Sequence, residues 1–271
     1  MLSILNSVSS LQAENALSNT TAALNKNLQQ LSTGLRINTG ADDAAGMSIA
    51  NGLQANIAAI SQSSQNASEG IGMLQTADGA LSQVTTLLNR AITLATEASN
   101  GGLSATQSTA LQTEYAAIQA EINNIGTTTD FNGTAVFGSA GSVYESDGTT
   151  SGTISDAVAA LSSGGLGLTV KGTPLATAAG AQAELTLIDA AVSTVAASRG
   201  TIGATVNQLT ASQSVEGAAV TNLTSAEDSI QNADVGQVVA QMTQNSILEQ
   251  TGMAALSQSN QIQQNVLKLV Q

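Results

Sequence analysis

The chain has 271 residues, 42% hydrophobic but only 1% aromatic, with no Trp, Cys or His and 19 acids against 6 bases, a net charge of −13. Without an imidazole, a thiolate or the common zinc ligands, most enzyme mechanisms are out of reach. So acidic a chain also lacks the clustered Lys and Arg that neutralise nucleic-acid phosphates, and no run of about 18 apolar residues offers a membrane span. The sequence therefore reads as a non-enzyme with no cofactor, no metal, no nucleic-acid partner and no membrane insertion.

The opening MLSILNSVSSLQAEN has no basic segment and no long apolar run, so any export is expected to use a route without a cleaved signal. Leu17, Leu24, Leu28, Leu31 and Leu35 then form one stripe on a first helix that stops near residues 34–38. The stretch LSTGLRINTGADDAAG, residues 31–46, sets a lone Arg36 before adjacent Asp42 and Asp43. Adjacent carboxylates on a helix point about 100° apart, and no third ligand is recognisable for a hard cation that usually takes six or more oxygens. The stretch reads as a joint: Asp42 or Asp43 caps the incoming helix, and Arg36 pairs with a carboxylate or carbonyl of a neighbouring copy.

A second helix opens around Asp42 with Ile57, Ile60, Ala67, Ile71, Leu74, Leu81, Leu88, Ile92 and Ala95 on a heptad repeat. Continuous to Ser99, it would be roughly 80 Å long. Only Pro174 forbids helix anywhere in the chain. Asn100-Gly101-Gly102 ends the second helix, and Ser104 with Gln107 offers a capping box for a third, striped by Leu111, Tyr115, Ile118, Ile122 and Ile125 and closed by Gly126. In DFNGTAVF, Asn132-Gly133 signals a β-hairpin. Residues 138–180, rich in Gly, Ser and Thr, read as loops and short strands on the surface. From Leu185 a heptad seam runs through positions 188, 192, 195, 199, 202, 206, 209, 213, 216, 220, 223, 227 and 230. Its polar members Arg199, Gln213, Glu216 and Glu227 either fix register by pairing or face solvent. A last stripe comprises Leu248, Ala255, Ile262, Val266 and Leu269.

The fold class that follows is mainly α: a long antiparallel helical hairpin or coiled-coil bundle from the N- and C-terminal segments, with a small β-hairpin and a short insert. A helical seam must bury its stripe on another helix, so the long helix after residue 42 pairs with the seam of 185–230. Stripes 1–35 and 236–271 come together, each too weakly apolar to fold well alone. An external partner is implied.

LSTGLRINTGADDAAGMSIA, then ASEGIGMLQTADGALSQVTTLLNRAITLATEASN, then FNG resemble the N-terminal part of bacterial flagellin; NLTSAEDSIQNADV (222–235) and ILEQTGMAALSQSNQIQQNVLKLV (247–270) resemble its C-terminal signature. The resemblance covers about residues 1–138 and 181–271. It implies a structural subunit that polymerises into the flagellar filament, secreted through the flagellum's own channel to an extracellular location. Its segments would be a filament-core helix and joint (1–40), shell helices and hairpin (41–138), a variable surface insert (139–180), a C-terminal shell helix (181–235) and a C-terminal core helix (236–271). Packing between subunits would fall to Leu24, Leu28, Leu31, Leu35, Arg36, Leu248, Ile262, Val266 and Leu269. Implied partners are further copies of the chain, the export apparatus with its chaperone, and junction and cap proteins. Arg90, Leu94 and Glu114 match family positions on a helical face that an animal Toll-like receptor recognises, although Ile92 and Thr93 stand where receptor-binding members carry a basic and an acidic residue. Taken as residues alone, Arg90 is a solvated charge and Leu94 a packing residue. The zinc peptidase inserted in some flagellins needs an HExxH motif, and this chain has no histidine. The alternative is a hook-filament junction protein with the same terminal helices, which would form one short tier.

Overall fold

The computed structural model describes residues 8–139, 141–146, 150–168 and 172–270. Most of these lie in helices α1 (Val8–Thr33), α2 (Ala44–Ala98), α3 (Ala105–Thr128), α4 (Ala178–Gln231) and α5 (Val235–Val270). Two antiparallel strand pairs join them, β1 (Asp130–Phe131) with β2 (Thr134–Ala135) and β3 (Ser142–Ser146) with β4 (Ser151–Ser155). The chain divides into two compact units, residues 56–221 and residues 1–55 with 222–271.

In the unit of residues 56–221, the heptad row of α2 is buried at Ile60, Ala67, Leu74, Leu81, Leu88 and Ala95, as its spacing predicts. Three residues further on, a second buried row consists of Ser63, Gly70, Ala77, Val84, Ala91 and Ala98. Its small side chains hide it from a count of large apolar residues, yet they let neighbours approach the helix closely. α3 supplies Tyr115, Ile118 and Ile122, and α4 supplies Ile188, Val195, Ile202 and Leu209, to one cluster with α2. Fully burying one such aliphatic side chain contributes about 1.5–3 kcal/mol. Three of the four polar seam positions of α4 make pairs: Arg199 grips Asp78 through Nε and Nη2 at 2.7 and 3.1 Å, and Gln213 donates to the Ser64 carbonyl at 3.0 Å. Glu216 accepts from Ser63.

The local signals of this unit fold as read, with two corrections. Ser104 Oγ accepts from Gln107 N while Gln107 Oε1 accepts from Ser104 N, a complete capping box. Asn132 (φ 53°) and Gly133 (φ 77°) supply the two left-handed residues of a hairpin turn. Gly126, however, does not close α3, which runs on to Thr128. It is a point of close approach, where any Cβ would collide with the Leu161 carbonyl. Nor does the segment after residue 138 only cover the surface: Val143, Val158, Leu161, Leu168 and Leu175 are buried in the same cluster as the helices. Short apolar singles among Gly, Ser and Thr carry no periodicity, so their burial left no sequence pattern.

In the other unit, α1 and α5 pack antiparallel, with Ser10 Oγ 2.8 Å from Ser259 Oγ and Gly252 lying against Leu17. The half-buried positions are Ser10, Ala13, Leu17, Thr20, Thr21, Ala23, Leu24 and Gln30 on α1, and Met242, Asn245, Ser246, Glu249, Gly252, Leu256 and Ser259 on α5. Asn27 and Val238 are buried outright.

Candidate functional site

The stretch 31–46 folds as a joint built from hydrogen bonds within the chain. α1 ends at Thr33 because Gly34 takes φ 74°, a conformation that favours glycine, and donates its N–H to the Gln30 carbonyl at 2.9 Å. The following residues pair with the turn between α4 and α5: Arg36 N donates to Gln231 O at 2.6 Å, Ala233 N donates to Gly34 O at 2.9 Å, and Leu35 bridges antiparallel to Asn232. The Arg36 guanidinium donates to the Ile230 carbonyl at 2.6 Å. Ile230 lies in the last turn of α4, where carbonyls lack helical partners and a cation is favoured. The carbonyl that Arg36 meets in the single chain is therefore its own.

The two aspartates divide their work. Asp43 Oδ1 accepts from Gly46 N at 2.9 Å and caps α2. Gly46 is dictated by that cap, because a Cβ there would stand 2.5 Å from Asp43 Oδ2 and 2.8 Å from Ile37 Cδ1. Asp42 instead gathers the loop: Oδ2 accepts from Asn38 N, Thr39 N and Thr39 Oγ1 at 3.0–3.2 Å, while Oδ1 faces Lys26 Nζ at 2.7 Å. Lys26, followed by Thr39, holds the Asp42 carboxyl well below the usual carboxylate range. With each carboxylate committed to backbone donors, the arrangement has the chemistry of a fastener.

Along the two terminal helices several large apolar side chains are uncovered. Leu28 and Leu31 on α1 are 47% and 36% exposed, and Leu248 and Ile262 on α5 are 48% and 54% exposed. Val8, Leu11, Ile49, Val235, Ile247 and Met253 are at least half exposed as well. The leucine stripe read from the sequence thus splits: Leu17 and Leu24 lie under α5, Leu35 is half-buried in the joint, and Leu28 and Leu31 are exposed. On α5 the side laid against α1 includes Glu249, Gly252 and Ser259, whereas Leu248, Ala255 and Ile262 are exposed. The side chains of Val266 and Leu269 lie outside the described residues.

Arg90 and Glu114 form one exposed ion pair, Nε to Oε1 at 2.7 Å, across α2 and α3. Leu94 does not share their face; it is 0% exposed and belongs to the core cluster. It lies three residues after Ala91 and four before Ala98, next to the second buried row and on its far side from the heptad row. One cluster gave no sequence signal. Tyr115 Oη donates to Glu184 Oε1 at 2.5 Å with both residues fully buried between α3 and α4, and burial, then Glu184, pushes the phenol pKa upward. Among the described residues no group of three or more acids is placed to hold a metal ion, and no helix is long and apolar enough to cross a membrane.

Two family models match the chain: the bacterial flagellin N-terminal helical region over residues 4–141 and the bacterial flagellin C-terminal helical region over residues 185–270. The chain is 30% identical to a flagellin of Bacillus subtilis, over 98% of this chain and 99% of that one. It is 32% identical to a flagellin of Halalkalibacterium halodurans, over 90% and 91% respectively. A flagellin of Serratia marcescens is 39% identical over 51% of this chain but only 40% of its own length. The crystal structure of Bacillus cereus flagellin aligns at 28% identity and a TM-score of 0.47, covering 56% of this chain and 88% of that one.

Proposed function

Because the chain belongs to the bacterial flagellin family, as a structural subunit that polymerises into the extracellular flagellar filament, we propose that the exposed faces of α1 and α5 are what polymerisation buries. The observation that carries this reading is the exposure of Leu28, Leu31, Leu248 and Ile262 on two helices whose covered positions include only a few large apolar side chains, Leu17, Leu24, Val238, Met242 and Leu256, among small and polar ones. Contiguous exposed apolar surface marks an interaction site, and a head-to-tail operator that does not close repeats one such contact into a filament. The joint of residues 34–46 sets where α1 and α4 end, so that the terminal helices present this face together. A chain lacking residues 250–271 should keep the buried core of residues 56–221, read by circular dichroism, and form no filaments under the electron microscope. Normal filaments from the truncated chain would remove the assigned role of α5.

Secretion through the flagellar channel, with its apparatus and chaperone, and contacts with junction and cap proteins are proposed from family membership. Receptor recognition is proposed through Arg90 and Glu114, without Leu94, because the latter offers no exposed surface. In a cell reporter assay the purified monomer should act weakly, and Arg90→Ala should weaken it further; an unchanged response would discard the site.

A further inference from the structure

The β3–β4 hairpin is fastened at its tip to the helices beneath it. Ser146 N donates to Ser63 Oγ of α2 at 2.9 Å, Asn66 Nδ2 of α2 donates to the Tyr144 carbonyl at 3.1 Å, and Ser212 Oγ of α4 donates to Glu145 Oε2 at 2.9 Å. Around these bonds lies an open cleft of about 250 Å³ lined by Ile60, Glu145, Ser146, Ser212, Val215 and Glu216, among others. Two carboxylates, one from the hairpin and one from α4, therefore face the same cleft. Each has one satisfied oxygen and one that is buried with no partner: Glu145 Oε1 and Glu216 Oε2. Among the described residues no basic side chain lines the cleft. From α2, apolar Ile60 lines the cleft and the Ser63 hydroxyl donates to Glu216, while the Glu145 charge adds to burial in opposing ionisation of Glu216. Asp147 lies outside the described residues.

Two buried acceptors cannot satisfy each other, but an acceptor and a protonated acid can. We propose that Glu145 and Glu216 share one proton, taken from solvent, and so act as a pH-dependent latch that closes the β3–β4 hairpin onto α2 and α4 in mild acid and loosens it when both groups are ionised. One hydrogen bond then satisfies both orphan oxygens. The sign follows from burial: Glu216 is pushed above the ordinary glutamate range, so the folded state holds a proton that the unfolded chain has lost. The latch is fully closed below the ordinary glutamate pKa and weakens as pH rises through the raised value. Asp156, at the hairpin's base, is 7% exposed and is shifted upward by burial as well, but it lines other clefts. The readout must therefore be taken at the tip.

The test uses the full-length chain. Carboxyl-carbon NMR should show Glu216 titrating above the ordinary glutamate range, and native-state amide exchange, corrected for its intrinsic pH dependence, should show Ser146 and Gly152 opening more often at pH 8 than at pH 5. The increase is about threefold for the first unit by which the pKa is raised and approaches tenfold for each further unit, since pH 5 lies above the ordinary glutamate pKa. Glu216→Gln, whose amide donates permanently, should hold the tip closed at both pH values, and Glu145→Gln should do the same from the other side. The proposal is overturned if Glu216 titrates with ordinary exposed glutamates, or if both variants keep the wild-type pH dependence at the tip. A Glu216→Gln chain that opens more than wild type at pH 8 would also overturn it.

Discussion

Single side chains in the joint carry distinct and separable roles. Asp43→Ala removes the cap of α2 and should lower stability by about 1 kcal/mol, read as a drop in the thermal midpoint. Gly46→Ala should be worse than helix propensity suggests, because the new Cβ lands on Asp43 Oδ2 and Ile37 Cδ1; a gain in stability would contradict the close approach. Asp42 sets a pH dependence of opposite sign to that of Glu216. Its carboxyl is held below the usual range by Lys26 and then Thr39, so the folded state loses protons more readily than the unfolded chain. The stability it lends is complete above the ordinary aspartate range and is lost as pH falls below it. Asp42→Asn should flatten the acid limb of stability against pH for the unit that holds the joint. The motif DDAAG was legible as a helix start from its residue types alone. Which aspartate caps and which gathers the loop was not, because adjacent acids look alike in sequence and differ only in the backbone donors they meet.

At the level of elements, the large apolar heptads were legible and the small-residue rows were not. Leu74, Leu81 and Leu88 announce a buried face, whereas Gly70, Ala77 and Ala91 announce nothing until a neighbour is seen against them. Gly70 shows the reason: a Cβ there would collide with Val143 of β3, so the position records contact with a strand far away in sequence. The same blindness hid the contact between α3 and α4, where a buried glutamate cannot be read from periodicity. Tyr115→Phe strips from Glu184 a buried donor, at an expected loss of about 1–3 kcal/mol. Tyr115→Phe combined with Glu184→Leu should recover much of that loss, since an apolar pair replaces a buried polar one at little penalty. Denaturant unfolding of the single and double variants measures both. A double variant less stable than the single would mean that Glu184 serves partners beyond Tyr115.

For the molecule as a whole, charge and exposed apolar surface act against each other. The chain carries −13, and the described side chains of Lys26, Arg36, Arg90 and Arg199 each contact a partner in their own chain. Bringing copies together therefore gathers negative charge. Raising salt from about 0.01 M to about 0.15 M shortens the screening length from about 30 Å to about 8 Å, so the critical concentration for polymerisation should fall; a rise would show that ion pairs between copies dominate. α1 and α5, joined through a few large apolar side chains among mostly small and polar ones, bury little with which to offset an ordering entropy of about 1–2 kcal/mol per residue. Their amides should exchange quickly in the monomer and slowly in the filament. The most direct test of the central claim is sedimentation of the Leu248→Asn, Ile262→Asn double variant beside wild type under polymerising conditions. Both positions are exposed in the single chain, so the monomer's circular dichroism should be unchanged and the pelleted polymer should vanish. Polymer at the wild-type concentration threshold would contradict the claim that assembly buries this face.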